Sequence, residues 1–169
     1  VPFKHENNRT YITDFKHIYE LHDGDSLLKT TFACYQDTVI NSASHDEHGD
    51  FWIGSNFGLI HYNPVSQKQT HIPTNLFTEV NMVQCDQRGK VWIGADNLLF
   101  AWLIREQKFV LFGESNGAIQ NEYLPNARLV NNEGDVYIGG VKGMLRIDGQ
   151  LLLNTSEMPD RKSTRLNSS

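Results

Sequence analysis

The run Asp46-Glu47-His48-Gly49-Asp50-Phe51-Trp52-Ile53-Gly54, followed by Gly58-Leu59, recurs along this chain in the same order. It returns as Asp86-Gln87-Arg88-Gly89-Lys90-Val91-Trp92-Ile93-Gly94, and again from Asn131 through Gly134 to Val136-Tyr137-Ile138-Gly139. Aligned on the aromatic residue before Ile, the copies fall at Tyr11, Trp52, Trp92 and Tyr137, separated by 41, 40 and 45 residues. A period of roughly 40 to 45 residues is that of a four-stranded propeller blade, and each repeat of such an array buries its core only against a neighbour.

The residues within one period favour sheet over helix. A β-rich run, Val80-Asn81-Met82-Val83-Gln84, leads into Asp86-x-x-Gly89. Asp at the first position bonds its own backbone two residues on, and Gly at the fourth accepts positive φ, so the segment predicts a type I turn closed by a Gly bulge. Gly49, Gly89 and Gly134 are expected at positive φ for that reason. Phe51-Trp52-Ile53-Gly54 and Val91-Trp92-Ile93-Gly94 are apolar on both faces, as in a strand sandwiched between sheets. Gly58-Leu59-Ile60-His61-Tyr62 alternates as a third strand, Asn63-Pro64 breaks it, and Gln69-Thr70-His71-Ile72 forms a short outer fourth. Asp46, Gly49, Trp52, Gly54, Asp86, Gly89, Trp92, Gly94, Gly134, Tyr137 and Gly139 are thus structural residues of the repeat, with the tryptophans filling the space between blades.

The copies differ. The first keeps only its aromatic-Ile core in Asn8-Arg9-Thr10-Tyr11-Ile12-Thr13, and the third has Leu98 where the second has Gly58. The connection through residues 113–130 lengthens the last period. Together the repeats predict an all-β partial β-propeller of about four four-stranded antiparallel blades in an open arc over 1–153, with repeats at about 5–32, 33–72, 77–112 and 123–153.

Composition limits what such a domain does. The chain has 169 residues, 39% hydrophobic and 21% charged, and no apolar run near the ~18 to 20 residues that cross a bilayer. The tail RKSTRLNSS, 161–169, has neither apolar periodicity nor turn logic and reads as a non-native scar. Without its Arg161, Lys162 and Arg165, 12 basic residues stand against 20 acidic ones, a net charge of −8. That argues against nucleic acid or an anionic membrane as partner, since both demand clustered Lys and Arg. Cys34 and Cys85 lack CxxC spacing and read as two buried thiols rather than a disulfide between repeats.

The pattern D-x-x-G-x-[FVL]-W-I-G-x-x-x-G-L resembles the two-component regulator propeller repeat. Asn121-Glu122-Tyr123-Leu124-Pro125-Asn126-Ala127, then Gly134 to Gly140 and Gly143-Met144-Leu145, looks like a late blade of that array. The similarity covers about residues 5–153. It implies the periplasmic, sensory part of a bacterial hybrid two-component histidine kinase, whose outward-facing region carries two propellers of roughly seven blades each and a small β-sandwich. On that basis this chain is a fragment of one ring, 154–160 is an exit toward the missing sandwich, and the whole receptor is a homodimer. Kinase activity would reside in a separate C-terminal part, so no enzyme activity and no cofactor are assigned to this chain.

Candidate sites follow from the blade geometry. His45-x-x-His48 is the nearest approach to metal-ligand spacing, but the two flank a hairpin turn, and no metal is assigned. Acid pairs such as Asp23 and Asp25, or Asp46 and Asp50, lie in turn-like sequence where Asp serves the backbone, and no GxGxxG is present. The loops between second and third strands share a rim with the connections between blades. That rim would gather Asn56 and Phe57, Asp96 and Asn97, Val141 and Lys142, with Asn121, Glu122 and Tyr123. Amides and carboxylates beside aromatic rings suit an oligosaccharide, whose hydroxyls need donors and acceptors while its C–H faces stack. The resulting expectation is a glycan-sensing module that regulates a histidine kinase, the alternative being a propeller enzyme of lyase or glycosidase type or an interaction scaffold.

Overall fold

The structure, a computed structural model, describes residues 2–4, 10–21, 28–33 and 37–153. Cys34, Asp23, Asp25, His5, His22 and the segments 154–160 and 161–169 lie outside the described residues. Among the described residues, fifteen strands form four antiparallel sheets. The first sheet holds β1 (Pro2–Lys4), β2 (Thr10–Thr13), β3 (His17–Leu21) and β4 (Leu28–Ala33). The second holds β5 (Ile40–His45), β6 (Phe51–Ser55), β7 (Gly58–Asn63) and β8 (Lys68–Ile72), and the third β9 (Met82–Cys85), β10 (Lys90–Ala95), β11 (Leu98–Leu103) and β12 (Lys108–Phe112). The fourth holds β13 (Tyr123–Val130), β14 (Val136–Gly140) and β15 (Gly143–Ile147).

Each sheet is a meander whose strands pair in chain order, so the chain is a partial β-propeller of four blades. The fourth blade departs from the expected four strands. Its sheet has three among the described residues, because the chain turns at Asp148–Gln150 and runs on through Leu151–Leu153 without pairing.

The repeated hairpin turn forms as its chemistry dictates. Gly49, Gly89 and Gly134 have φ of 83°, 84° and 86°. The Asp46 carboxylate accepts the backbone N–H of His48 and Asp50, the Asp86 carboxylate those of Arg88 and Lys90, and the Asn131 amide oxygen those of Glu133 and Asp135. The first side chain of each turn thus takes the donors that the tight bend leaves without a ladder partner.

Strand alternation then distributes the core. On β6, Phe51 and Ile53 face the first blade with Tyr11, Ile18 and Phe32, while Trp52 faces the third with Val83, Cys85, Val91 and Ile93. On β10, Val91 and Ile93 look back in the same way, and Trp92 looks forward to Tyr123, Val136 and Ile138. Trp52 and Trp92 are 2% and 1% exposed, as their place between sheets requires. The glycine that follows faces forward too. A Cβ at Gly54 would lie 2.6 Å from Val80 Cγ1, and one at Gly94 would lie 2.8 Å from Tyr123 Cβ, so both glycines make room for the chain entering the next blade.

The blades converge on their first strands, β5, β9 and β13, which approach one another. Ser42 and Ser44 of β5 accept the backbone N–H of Val83 and Cys85 on β9, at 3.1 Å each. Backbone groups without a strand partner are thereby satisfied from the neighbouring blade.

Candidate functional site

The loops between second and third strands do meet the interblade connections on one rim, and backbone hydrogen bonds stitch them together. Asn56 N–H donates to the Val39 carbonyl and Val80 N–H to that of Ser55. Asn121 N–H donates to Asn97 and Val141 N–H to Glu122, at 2.9 and 3.1 Å. The first blade joins the pattern, since Ile40 N–H reaches the Phe15 carbonyl in the loop between β2 and β3.

The named residues divide into those that build this rim and those that display chemistry on it. Asn56 is a clamp: its Oδ1 accepts Val39 N–H at 2.7 Å and its Nδ2 donates to the Asp37 carbonyl at 3.0 Å. Asn121 does the same further round. It is buried, its Oδ1 accepts Lys142 N–H at 2.9 Å, and its Nδ2 points to the Gly143 carbonyl. Tyr123 is also buried, its hydroxyl donates to the Ile119 carbonyl at 3.0 Å, and desolvation raises its pKa. These three side chains face the protein.

Phe57, Asp96, Asn97, Glu122, Val141 and Lys142 are exposed on the rim. Phe57 is 54% exposed, on a turn fixed by the bond between the His71 ring and the Phe57 carbonyl. Asp96 and Asn97 both have positive φ, 49° and 61°, and make a two-residue hairpin turn. They replace the left-handed glycine of the second blade, which explains how Leu98 is accommodated where Gly58 stood. Lys142 Nζ donates to the Gln120 carbonyl at 3.0 Å.

Two rim residues escaped sequence reading. Phe15 is 74% exposed on the first blade's loop, and Ile119 is 56% exposed on the long connection. The degenerate first repeat hid Phe15, although its place four residues after Tyr11 nearly matches that of Phe57 after Trp52.

The histidine pair does not converge. His45 is buried beside Tyr11 and Phe51, with ring centroids 6.1 and 6.5 Å away, whereas His48 is exposed at the turn next to Glu47. The ligand atoms of Asp46, Asp50 and His61 do lie within 4.8 Å of one another. They are already engaged: Trp52 Nε1 donates to Asp46 Oδ2 at 2.9 Å, Asn63 Nδ2 to Asp50 Oδ1 at 2.6 Å, and His61 Nε2 lies 2.8 Å from Asp50 Oδ2. This network holds the second blade's hairpin to its third strand.

At the convergence of the first strands lies Arg128, another residue the sequence did not single out. A register shift on β13 between Tyr123 and Arg128 turns its side chain across the neighbouring strands. Nη2 donates to the Ala43 carbonyl at 2.7 Å, Nη1 to Gln84 Oε1 at 3.1 Å and Nε to the Pro125 carbonyl at 2.6 Å. Desolvation by the surrounding strands holds its pKa down to about 10.

No protein-family model matches this chain, and no curated protein matches it. Among solved structures, it is similar to the extracellular domain of BT3049 of B. thetaiotaomicron, assigned as a hybrid two-component system. That match has a TM-score of 0.67 at 15% identity, over 99% of this chain and 25% of the other. BT4673 of the same organism, likewise assigned, gives 0.64 at 18% identity over 93% of this chain and 22% of the other. YCF48, solved bound to D1 peptide, gives 0.67 at 12% identity over 86% of this chain and 48% of the other. The chain thus spans about a quarter of the two bacterial domains and about half of YCF48, and at these identities the likeness is one of fold. Among the described residues no helix is long and apolar enough to cross a membrane.

Proposed function

We propose that this chain is part of an extracytoplasmic, ligand-sensing propeller of a hybrid two-component receptor, that it recognises an oligosaccharide, and that the event regulates a histidine kinase elsewhere in the receptor. The observation that carries the reading is the rim, where Phe57, Asp96, Asn97, Glu122 and Lys142 stand exposed on turns fixed by backbone and clamp bonds. Phe15, Ile119 and Val141 add apolar surface beside them. Rings and aliphatic groups among amides and charges offer stacking and directional hydrogen bonds together, the pairing a sugar requires. Fold likeness to extracellular domains of proteins assigned as hybrid two-component systems supports the sensing role and a periplasmic location.

The same exposed apolar residues also favour a second reading, a rim that docks a protein segment. A glycan panel titrated against the intact receptor, with kinase autophosphorylation as readout, separates the two. Sensing predicts that one oligosaccharide changes phosphorylation and that Phe57→Ala and Asn97→Ala each shift its midpoint about tenfold, the equivalent of ~1.4 kcal/mol. An unshifted midpoint in both variants would remove the rim from ligand contact, and a receptor silent to every glycan but responsive to a peptide would favour docking.

A further inference from the structure

Arg128 joins three blades, yet each acceptor it reaches is neutral: two backbone carbonyls and the Gln84 amide. Among the described residues no carboxylate forms an ion pair with it. A guanidinium carries five N–H donors, of which the three bonds use one on each nitrogen, leaving one on Nη1 and one on Nη2. The residue as a whole is partly buried, and these two donors have no partner among the described residues. Hydrogen bonds to neutral acceptors orient a guanidinium but leave its charge without a counter-charge in a desolvated setting, an unfavourable arrangement that an incoming anion relieves.

We propose that Arg128 is the anchor of an anion-binding site at the convergence of β5, β9 and β13, and that the site takes a carboxylate or sulfate group of a small acidic ligand. Arginine suits this role because its planar fork matches the oxygens of such groups, and the bonds it donates to Ala43, Gln84 and Pro125 fix that fork beforehand. The bond to Ala43 crosses to the second blade and the bond to Gln84 to the third, so an anion held here would register the relative placement of three blades. The site stands apart from the rim and does not depend on the sensing reading.

The test uses the full chain and two probes, sodium sulfate and sodium glucuronate, against sodium chloride at matched ionic strength and against neutral glucose. Thermal unfolding should shift upward and saturate with both anions but not with glucose, as binding to the native state requires. Calorimetric titration of glucuronate should give a saturable isotherm that Arg128→Gln weakens about tenfold or more and Arg128→Lys weakens less. Sulfate also stabilises proteins by exclusion from their surface, and that part should persist unsaturated in Arg128→Gln. A wild-type chain with no saturable response to either anion overturns the proposal even if Arg128→Gln fails to fold. So does an equal saturable response in a folded Arg128→Gln. Neither result bears on whether a neutral glycan acts at the rim of the intact receptor.

Discussion

The two repeat tryptophans hold the same place in their blades but not the same chemistry. Trp52 donates its indole N–H to Asp46 Oδ2, whereas in the next blade Lys90 Nζ takes the corresponding oxygen of Asp86, at 3.0 Å. Trp92 Nε1 is buried without a hydrogen-bond partner among the described residues. Trp52→Phe therefore strands a buried carboxylate oxygen, while Trp92→Phe removes a donor that was never satisfied. In chemical denaturation Trp52→Phe should be the more destabilising by about 1 to 2 kcal/mol, and equal effects would show that the indole bond contributes nothing. Truncation of either to Ala should cost ~3 to 5 kcal/mol through loss of interblade packing. Gly54 makes a separate demand. Its missing Cβ leaves space that Val80 Cγ1 and Val83 Cγ2 already occupy, and Gly54→Ala should destabilise by roughly 1 to 3 kcal/mol through overpacking in the same assay.

At the scale of the hairpin, turn chemistry sets both strain tolerance and acid sensitivity. Gly89 has φ of 84° with open space around its α-carbon, so Gly89→Val is penalised by backbone conformation rather than by collision. An Asn at the same position, which tolerates that conformation, should be milder than Val in denaturation, and the reverse order would place the cause in packing. The loop between β2 and β3 contributes to the acid response. Desolvation raises the Asp14 pKa, but the backbone N–H groups of Lys16 and His17, the His17 ring and the Tyr19 hydroxyl outweigh it and hold the carboxyl down to about 2. Because that lies below the unfolded value of ~3.9, ionised Asp14 contributes stability that is fully present above that value and disappears as pH falls toward about 2. Asp135 is lowered in the same direction by the Gly149 backbone N–H and by Arg146. Asp14 is half exposed, so its share is small. Asp14→Asn should flatten the fall in melting temperature between about pH 4 and pH 2, and an unchanged profile would assign the acid response elsewhere.

At the scale of the whole molecule, strand alternation leaves the last blade with an open side among the described residues. Val136 and Ile138 are buried against the third blade, whereas Leu129 and Met144 are 60% and 71% exposed and Tyr137 is half-buried. In the first blade Tyr11 packs edge-on to Phe51, while Ile12 and Tyr19 on the opposite face are half-buried. Exposed apolar sheet surface favours association, and charge repulsion is screened beyond ~8 Å at physiological salt. This chain should elute above monomer size in size-exclusion chromatography, and Leu129→Lys with Met144→Lys should return it toward the monomer. A wild-type chain that is a stable, cooperatively unfolding monomer would refute the view that these faces need neighbours.

The sequence by itself determined the blade: the period, the Asp-x-x-Gly turns, the doubly apolar Trp-Ile strands and the resemblance they carry are all local pattern, written in residues that touch their own turn or strand. It also marked the rim, because alternating hairpins place every second loop at one end. It did not show which rim side chains are free. Asn56, Asn121 and Tyr123 look as available as Asn97 and Glu122 in sequence, and only the folded neighbours, Val39, Lys142 and Ile119, decide that they face inward. Arg128 lies furthest from sequence reading, since its partners on other blades are 44 and 85 residues away and meet it only because three blades converge on their first strands. Repeats are legible because each reproduces the same short-range physics. What happens between repeats depends on side chains that differ from copy to copy, and the tertiary structure alone sets them against one another.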